Sequence, residues 1–139
     1  MDVATLQLQQ HLKSRGFSFT QPRLVVFAAL QDQEPQTMTA VVLACPELDR
    51  ATVYRTVDLF EKLGIVQRLA IGWKYKLELT DTFSQHHHHL TCTNCGRVIP
   101  LSEDETLEQR LNLLAKQLQF APQAHQIEVR GFCNNCHIT

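Results

Sequence analysis

Nitrogen and sulfur donors are concentrated in one short stretch of the chain. Four consecutive histidines, His86 to His89, are followed by Cys92 and Cys95, and a second pair with the same two-residue gap lies at Cys133 and Cys136. This gap allows both sulfurs of a pair to face one ion, and four thiolates are a common ligand set of a closed, tetrahedral structural zinc site. A redox pair or four unrelated thiols are the alternatives, but paired CxxC motifs in a reducing compartment favour zinc. The spacing therefore predicts a structural Zn2+ site.

The histidine run predicts further metal ligands. It is internal and continues directly into the first cysteine pair, which argues against a purification tag. In an extended strand, alternate side chains point to opposite faces, so His86 and His88 share one face while His87 and His89 share the other. Neighbouring histidines then cannot all bind one ion. The geometry favours two sites, each taking one pair.

Other candidate ligands lie on both sides of the run. Glu108 stands at the edge of the apolar stripe of a predicted helix, where its carboxylate can turn inward. His125 shares the apolar face of a predicted strand over 124–130, where a histidine that only hydrogen-bonds in the core is the alternative to a ligand. Upstream, Glu78 or Asp81 could join His87 and His89.

The second half also predicts the elements that hold these ligands. Ser102 to Glu105 has the pattern of a capping box that opens a helix. A leucine stripe at helical spacing is expected to form the core face of this helix: Leu107, Leu111, Leu114 and Leu118.

Apolar spacing in the first half predicts four helices and a hairpin. Their expected ranges are 6–15, 20–30, 37–45, 50–63, 65–69 and 73–79. The fourth helix starts after Asp49, a good N-cap residue, and ends before Gly64. Its apolar face comprises Val53, Val57 and Phe60. Cys45, alone among apolar residues, is expected in the core. Within this pattern, three helices followed by a hairpin are typical of a winged helix.

The polar face of the fourth helix is the candidate DNA-reading surface. Arg55 and Lys62 project from it, flanked by Thr52 and Tyr54, as in the second helix of a helix-turn-helix. The alternative is an ordinary solvated helix face. The net charge of −1 gives no support to nucleic-acid binding, since residues 1–80 hold nine Lys/Arg against eight Asp/Glu and residues 81–139 hold four against six. Basic groups would have to be arranged locally.

Length and composition limit the class of protein. A chain of 139 residues with 44% hydrophobic and 19% charged residues suits one domain or two small ones and argues against disorder. No apolar run approaches the length of a membrane span. The N-terminus lacks the layout of a signal peptide, so we expect a cytoplasmic protein without a membrane partner.

Taken together, these segments resemble the ferric uptake regulator family. The resemblance covers nearly the whole chain and rests on four segments in the family's order: Thr20-Gln21-Pro22-Arg23, Ala51-Thr52-Val53-Tyr54-Arg55, Gly64-Ile65-Val66, and His86 to Ile99. It implies an α+β protein, with a winged helix-turn-helix DNA-binding domain over 1–80, a hinge over 81–85 and a small α/β dimerisation domain over 86–139. It also implies a homodimer that binds a pseudo-palindromic double-stranded DNA operator.

The resemblance assigns the metal ligands by position. The structural zinc site falls on the four cysteines, and a sensory site falls on His86, His88, Glu108 and His125. A further regulatory site would use Glu78 or Asp81 with His87 and His89. Two ligands that the family usually supplies to that site are replaced here, by Thr37 and Pro100. These departures also weaken the case for a peroxide-sensing function.

The resemblance also assigns DNA contacts. The base-reading pair of the family falls on Tyr54 and Arg55. A basic residue that often enters the minor groove aligns near Ser18, so Arg15 would have to replace it. We expect Arg15, Arg23 and Lys62 to contact phosphates, with Thr52 beside the reading pair.

The predicted function is therefore a metal-dependent repressor of metal-homeostasis genes. Three imidazoles and one carboxylate suit tetrahedral Zn2+ better than octahedral Fe2+ or Mn2+, which favours a zinc-responsive (Zur-type) repressor. An iron-responsive repressor is the first alternative, with Fe2+ or Mn2+ at the regulatory site. The remaining alternatives are a zinc-dependent hydrolase, which would leave the first half of the chain without a role, and a metal-buffering protein.

Overall fold

The computed structural model describes residues 2–137 and divides the chain into two compact units, Met1–Gln85 and His86–Thr139. The first unit is mainly helical, and the second is built on a three-stranded sheet. The protein is therefore of mixed α and β structure, and none of its helices in the part of the chain that the structure describes could span a bilayer.

The first unit contains four helices and a two-stranded hairpin. In chain order these are α1 Val3–Ser14, α2 Gln21–Leu30, α3 Met38–Ala44, α4 Arg50–Lys62, β1 Val66–Ile71 and β2 Lys74–Leu79. Side chains of Asp2, Thr37 and Asp49 accept hydrogen bonds from backbone N–H groups in the first turns of α1, α3 and α4. The Asp2 cap makes α1 begin at Val3 and not near residue 6, as the apolar spacing predicted. Gly64 has a φ of 71° just past the end of α4, which suits glycine at this position.

All four helices and the base of the hairpin enclose one apolar core. The predicted inner face of α4 is buried, with Val53 and Phe60 fully inaccessible to solvent and Val57 nearly so. Cys45 joins this core, as predicted. Phe83, which follows β2, packs edge-on against Phe27 with ring centroids 5.7 Å apart, so the first unit extends beyond residue 80. The arrangement is a winged helix-turn-helix, with α3 and α4 as the helix pair.

The hairpin forms the wing. β1 and β2 pair antiparallel from Val66 opposite Leu79 to Ile71 opposite Lys74, so its turn comprises two residues, Gly72 and Trp73. Gly72 has a φ of 62°, and a glycine at the first central position is the requirement of a type II′ turn.

The second unit is a three-stranded sheet with one helix. Its elements are β3 His87–Cys92, β4 Val98–Ser102, α5 Glu105–Gln117 and β5 Glu128–Gly131. β3 lies in the middle, antiparallel to β4 and parallel to β5. This unit is the small α/β domain expected after the winged helix.

Three expectations for this unit were wrong in detail. Ser102 does not open α5, because it pairs with His87 at the end of β4; Asp104 caps the helix, accepting hydrogen bonds from the N–H groups of Thr106 and Leu107 at 2.9 and 3.3 Å. The leucine stripe is not all buried within one chain, since Leu118 is 81% exposed. The last strand spans four residues and not seven.

Candidate metal centres and nucleic-acid interface

The four paired cysteines converge on one point. Cys92 ends β3 and pairs with Gly131 of β5, which brings the second CxxC turn beside the first. The four cysteine Sγ atoms all lie within 4.8 Å of one another, and those of Cys95 and Cys133 are 3.7 Å apart. That separation is too long for a disulfide bond, but it matches the edge, about 3.8 Å, of a tetrahedron with Zn–S bonds of about 2.3 Å.

The electrostatics of this cluster also favour a cation. Backbone N–H groups, first that of Cys95 and then that of Cys133, lower the pKa of the Cys92 thiol from 9.0 to about 6. At Cys136 the hydrogen bond from the Asn94 amide lowers the pKa, but the neighbouring cysteines outweigh it and raise the value to about 11. Four thiols this close cannot all ionise unless a positive charge offsets their repulsion, which a zinc ion would do.

The second cluster brings together His86, His88, Glu108 and His125, all within the second unit. One ligand atom from each lies within 4.8 Å of the others. The Nε2 atom of His86 is 3.2 Å from Glu108 Oε1 and 3.2 Å from His125 Nε2, and His88 Nε2 is 2.6 Å from Glu108 Oε1. His125 Nε2 contacts the other carboxylate oxygen. The ligands come from three places: the residue before β3 and the second residue of that strand, the first turn of α5, and the segment before β5.

This donor set fits a tetrahedral ion. Zn–N and Zn–O bonds of about 2.0–2.1 Å give a tetrahedron edge of about 3.3–3.4 Å, close to two of the three distances above. The facing nitrogens of His86 and His125 need a proton or a cation between their lone pairs. Burial raises the pKa of the Glu108 carboxyl, but the hydrogen bond from His88 and the adjacent imidazoles outweigh this and hold the pKa below 4.5. Glu108 is thus kept ionised in a buried position, as a metal ligand requires.

The histidine run alternates as an extended strand requires. The rings of His86 and His88 lie 4.7 Å apart, and those of His87 and His89 are also 4.7 Å apart. In the first unit, Glu78 is buried on β2 and accepts a hydrogen bond of 2.7 Å from Gln67, whereas Asp81 is exposed in the turn that follows. Assembly of a further site from these residues stays a prediction.

The outer face of α4 carries the predicted DNA-reading residues. Arg55 is exposed, and the one hydrogen bond that its guanidinium donates among the described residues is a long contact of 3.4 Å to the Thr52 hydroxyl. Tyr54 is half-buried beside it, and Lys62 is exposed at the last position of the helix. Polar donors therefore project from a helix whose opposite face is fixed in the core.

Arg23 extends this face onto α2. Arg23, Thr52 and Arg55 line one depression of about 280 Å³ together with the N-terminus of α2. The guanidinium of Arg23 donates to the carbonyl of Ser18 at 2.6 Å, which holds it there. Two guanidinium groups beside the N–H groups of a helix start suit a phosphate. Arg15 is exposed at the end of α1.

Arg50 is a residue of this face that the sequence reasoning missed. Its guanidinium lies 5.4 Å above the ring of Tyr54 and contacts the phenol oxygen at 3.3 Å, so it orients a predicted reading residue. The signal was available, because side chains four residues apart are neighbours on a helix.

Known proteins are similar to this one over almost its entire chain. Residues 14–130 match the model of the ferric uptake regulator family. The chain is 39% identical over 132 residues to the ferric uptake regulation protein of Vibrio anguillarum, covering 89% of this chain and 86% of the relative. The fold is similar to the crystal structure of the Vibrio cholerae ferric uptake regulator, with a TM-score of 0.70, 29% identity, and coverage of 91% of this chain and 99% of that one. The crystal structure of holo XcZur gives a TM-score of 0.57 at 25% identity, over 94% of each chain.

Proposed function

The chain belongs to the ferric uptake regulator family, metal-dependent transcription regulators that bind DNA as dimers and are not enzymes, and from this premise we propose that it is a zinc-responsive repressor. It would act in the cytoplasm as a homodimer on a pseudo-palindromic operator. One observation carries the choice of metal: His86, His88 and His125 converge with a single carboxylate.

Ligand chemistry is the basis for preferring zinc. Three imidazoles and one carboxylate in a small, half-buried cluster supply four donors, the number that zinc prefers. Ferrous iron and manganese favour more oxygen-rich sets of about six ligands. The similarity to XcZur is compatible with this choice, and the higher identity to ferric uptake regulation proteins makes an iron-responsive repressor the second candidate.

The position of the cluster in the chain suggests how it could control DNA binding. His86 is the first residue of the second unit and directly follows the last residue of the winged-helix unit. When bound, the ion would supply a fixed link among three separate segments. His86 would then restrain the connection to the winged helix, and His88 and Glu108 would hold β3 against α5. If the DNA-competent arrangement binds zinc more tightly, linkage requires that DNA tighten zinc binding by the same factor.

Exposed apolar side chains in the second unit support a second copy of the chain as the partner. Val129 and Phe132 near the β5 edge are 52% and 63% exposed, and Leu118 and Phe120 at the end of α5 are 81% and 67% exposed. Monomeric proteins rarely leave so many large apolar groups in water, and homodimer interfaces are rich in them.

DNA recognition is proposed for the outer face of α4. Tyr54 and Arg55 would contact base edges in the major groove, while Arg15, Arg23 and Lys62 would contact phosphates. Thr52, which shares a hydrogen bond with Arg55, would orient that guanidinium.

A metal titration of DNA binding tests the proposal. Metal content of the native protein is measured first, and fluorescence anisotropy then follows binding to a duplex enriched from a random-sequence library, at buffered free zinc or ferrous iron. We expect zinc to promote binding at lower free concentration than iron. Replacing His86, His88 and His125 by alanine should abolish the zinc response, while His137→Ala, a control at an exposed histidine, should leave it unchanged. A response to iron alone would establish the second candidate.

A further inference from the structure

The turn that follows the wing is anchored against the winged-helix unit. Phe83 lies within the predicted hinge over 81–85, yet its side chain is only 6% exposed. Its N–H donates to the carbonyl of Thr80 at 2.9 Å. Thr80 is fixed in turn to the residues that follow α4, because its hydroxyl donates to the carbonyl of Gly64 at 2.7 Å and its N–H donates to that of Ile65 at 2.9 Å. The start of the connecting segment is therefore part of the folded body of the first unit.

The Phe83 ring contacts aromatic side chains of two different helices. Its edge-on neighbours are Phe27 of α2, at a centroid distance of 5.7 Å, and His11 of α1, at 5.5 Å. His11 is also bound to α4, since its Nε2–H donates to the carbonyl of Leu63 at 2.7 Å. Leu63 is the C-cap of α4, where the last carbonyls have no partner within the helix. One histidine thus joins the end of the proposed reading helix to the buried ring of Phe83.

The stretch of chain between this anchor and the sensory cluster is short. Ser84 and Gln85 are the two residues between Phe83 and His86, the first ligand of the cluster. Three peptide steps extend over at most about 11 Å. A displacement of His86 on metal binding would therefore reach the winged helix after very little chain. A phenylalanine that only completed the core would be buried in the same way, so an experiment must separate the two roles.

We propose that Phe83 is a positioning residue for metal-controlled DNA binding, and that His11 holds it against the end of α4. The inference rests on the proposed function. With Phe83 in place, an ion that fixes His86 would orient α4 together with the whole winged helix as one rigid body. With Phe83 removed, the segment 80–85 would yield, and zinc and DNA would bind independently. The residue therefore controls the coupling between the two ligands and not the affinity for either one alone.

The coupling factor is the ratio of the DNA affinities at high and low buffered free zinc, with metal analysis to verify that the four-cysteine site stays filled. Allosteric coupling factors are typically about 5–150-fold, and Phe83→Ala should bring the factor to within about twofold of unity. The affinity for zinc without DNA, and the affinity for the library-selected duplex at low zinc, should change little. Phe83→Leu, which refills most of the space with an apolar group, should restore part of the coupling.

His11→Ala is a second variant, which tests the proposal even if Phe83→Ala does not fold. His11 is half-buried, and its removal leaves the contact between Phe27 and Phe83 in place. It should lower the coupling factor without changing zinc content. Cys45→Ala is the matched control, because it removes a buried side chain from the same hydrophobic core at the end of α3. This control should lower the melting temperature and leave the coupling factor unchanged.

All affinities are measured at a temperature at which circular dichroism shows each variant to be folded. If the folded Phe83 and His11 variants keep the coupling factor of the parent, the inference is overturned and the proposed function stands. An equal loss of coupling in Cys45→Ala would assign the effect to general destabilisation and would also overturn the inference. If zinc does not change DNA binding by the parent protein, both the inference and the proposed zinc response are overturned.

Discussion

Removal of zinc from the four-cysteine cluster is expected to unfold the second unit and leave the first one folded. The physical reason is the uneven distribution of buried apolar side chains. The hydrophobic cluster of the protein comprises seventeen buried residues, all in the first unit. Among the described residues of the second unit, Val98 is the one apolar side chain other than cysteine that is fully buried.

The magnitudes would make a bound zinc ion the dominant stabilising contribution to the second unit. Full burial of a side chain such as Val98 is worth about 1.5–3 kcal/mol. A structural zinc ion in a small folded module contributes about 10–16 kcal/mol at neutral pH. Domains this small commonly depend on metals or on oligomerisation, and from the exposed leucines of α5 we expect the second unit to depend on both.

Hydrogen exchange measured by mass spectrometry is the appropriate assay. The parent protein is compared with and without a strong zinc chelator, and with the variant that carries Cys133→Ser and Cys136→Ser. We expect amides in β3, β4 and β5 to exchange at the rates of an unfolded chain after zinc is removed, while amides in α2 and α4 keep their protection.

A cysteine outside the cluster supplies the control. Cys45→Ala removes a buried thiol from the first unit, so it should lower the stability of that unit without reducing zinc content or the protection of β3. Full protection of β3–β5 in zinc-free protein would refute the reasoning, because it would require a source of stability other than the metal.

Three further predictions concern recognition, pH and assembly. Arg55→Ala should cost about 1–3 kcal/mol on the selected duplex and little on random DNA, whereas Lys62→Ala should weaken binding to both, as measured by anisotropy. Hydrogen bonds from Thr52 lower the pKa of the Asp49 carboxyl below 3.8, so the stabilisation of α4 by this carboxylate is fully present above that value and is lost as the pH falls through the lowered pKa. Asp49→Asn should keep the cap and remove this part of the acid dependence, as measured by circular dichroism melts. An unaltered acid profile would contradict the assignment. Leu118→Asp should convert dimer to monomer in sedimentation velocity, and an unchanged dimer would place the interface elsewhere.

The sequence predicted most of the features that depend on local chemistry. The cap Asp49, the inner face of α4 and the presence of the hairpin each follow from residues within a few positions of one another. The two-residue turn was not predicted, because the first strand was expected to end at residue 69 and extends to Ile71. The four-cysteine cluster was also predictable, since its spacing is specific.

The remaining features depend on contacts distant in sequence. Sequence reasoning could not choose between a ligand and a core role for His125, because the choice depends on how the segment before β5 approaches α5. Ser102 and Asp104 are both good caps, and pairing of Ser102 with β3 decides between them. Exposure of Leu118 could not be predicted from one chain, because an apolar helix face gives the same pattern whether it meets its own sheet or a second copy.

The strand β3 carries ligands of both clusters, which has a consequence for the fidelity of metal sensing. Four identical side chains in succession give a strand no means of distinguishing one alignment from the next. A slip of one residue would exchange His86 and His88 for His87 and His89 beside Glu108, and the cluster would still hold imidazoles. Cys92 ends the same strand, about 13 Å from His88, and a bound zinc would fix it there. A bound structural ion would therefore define which histidines face the carboxylate when the sheet of the second unit forms.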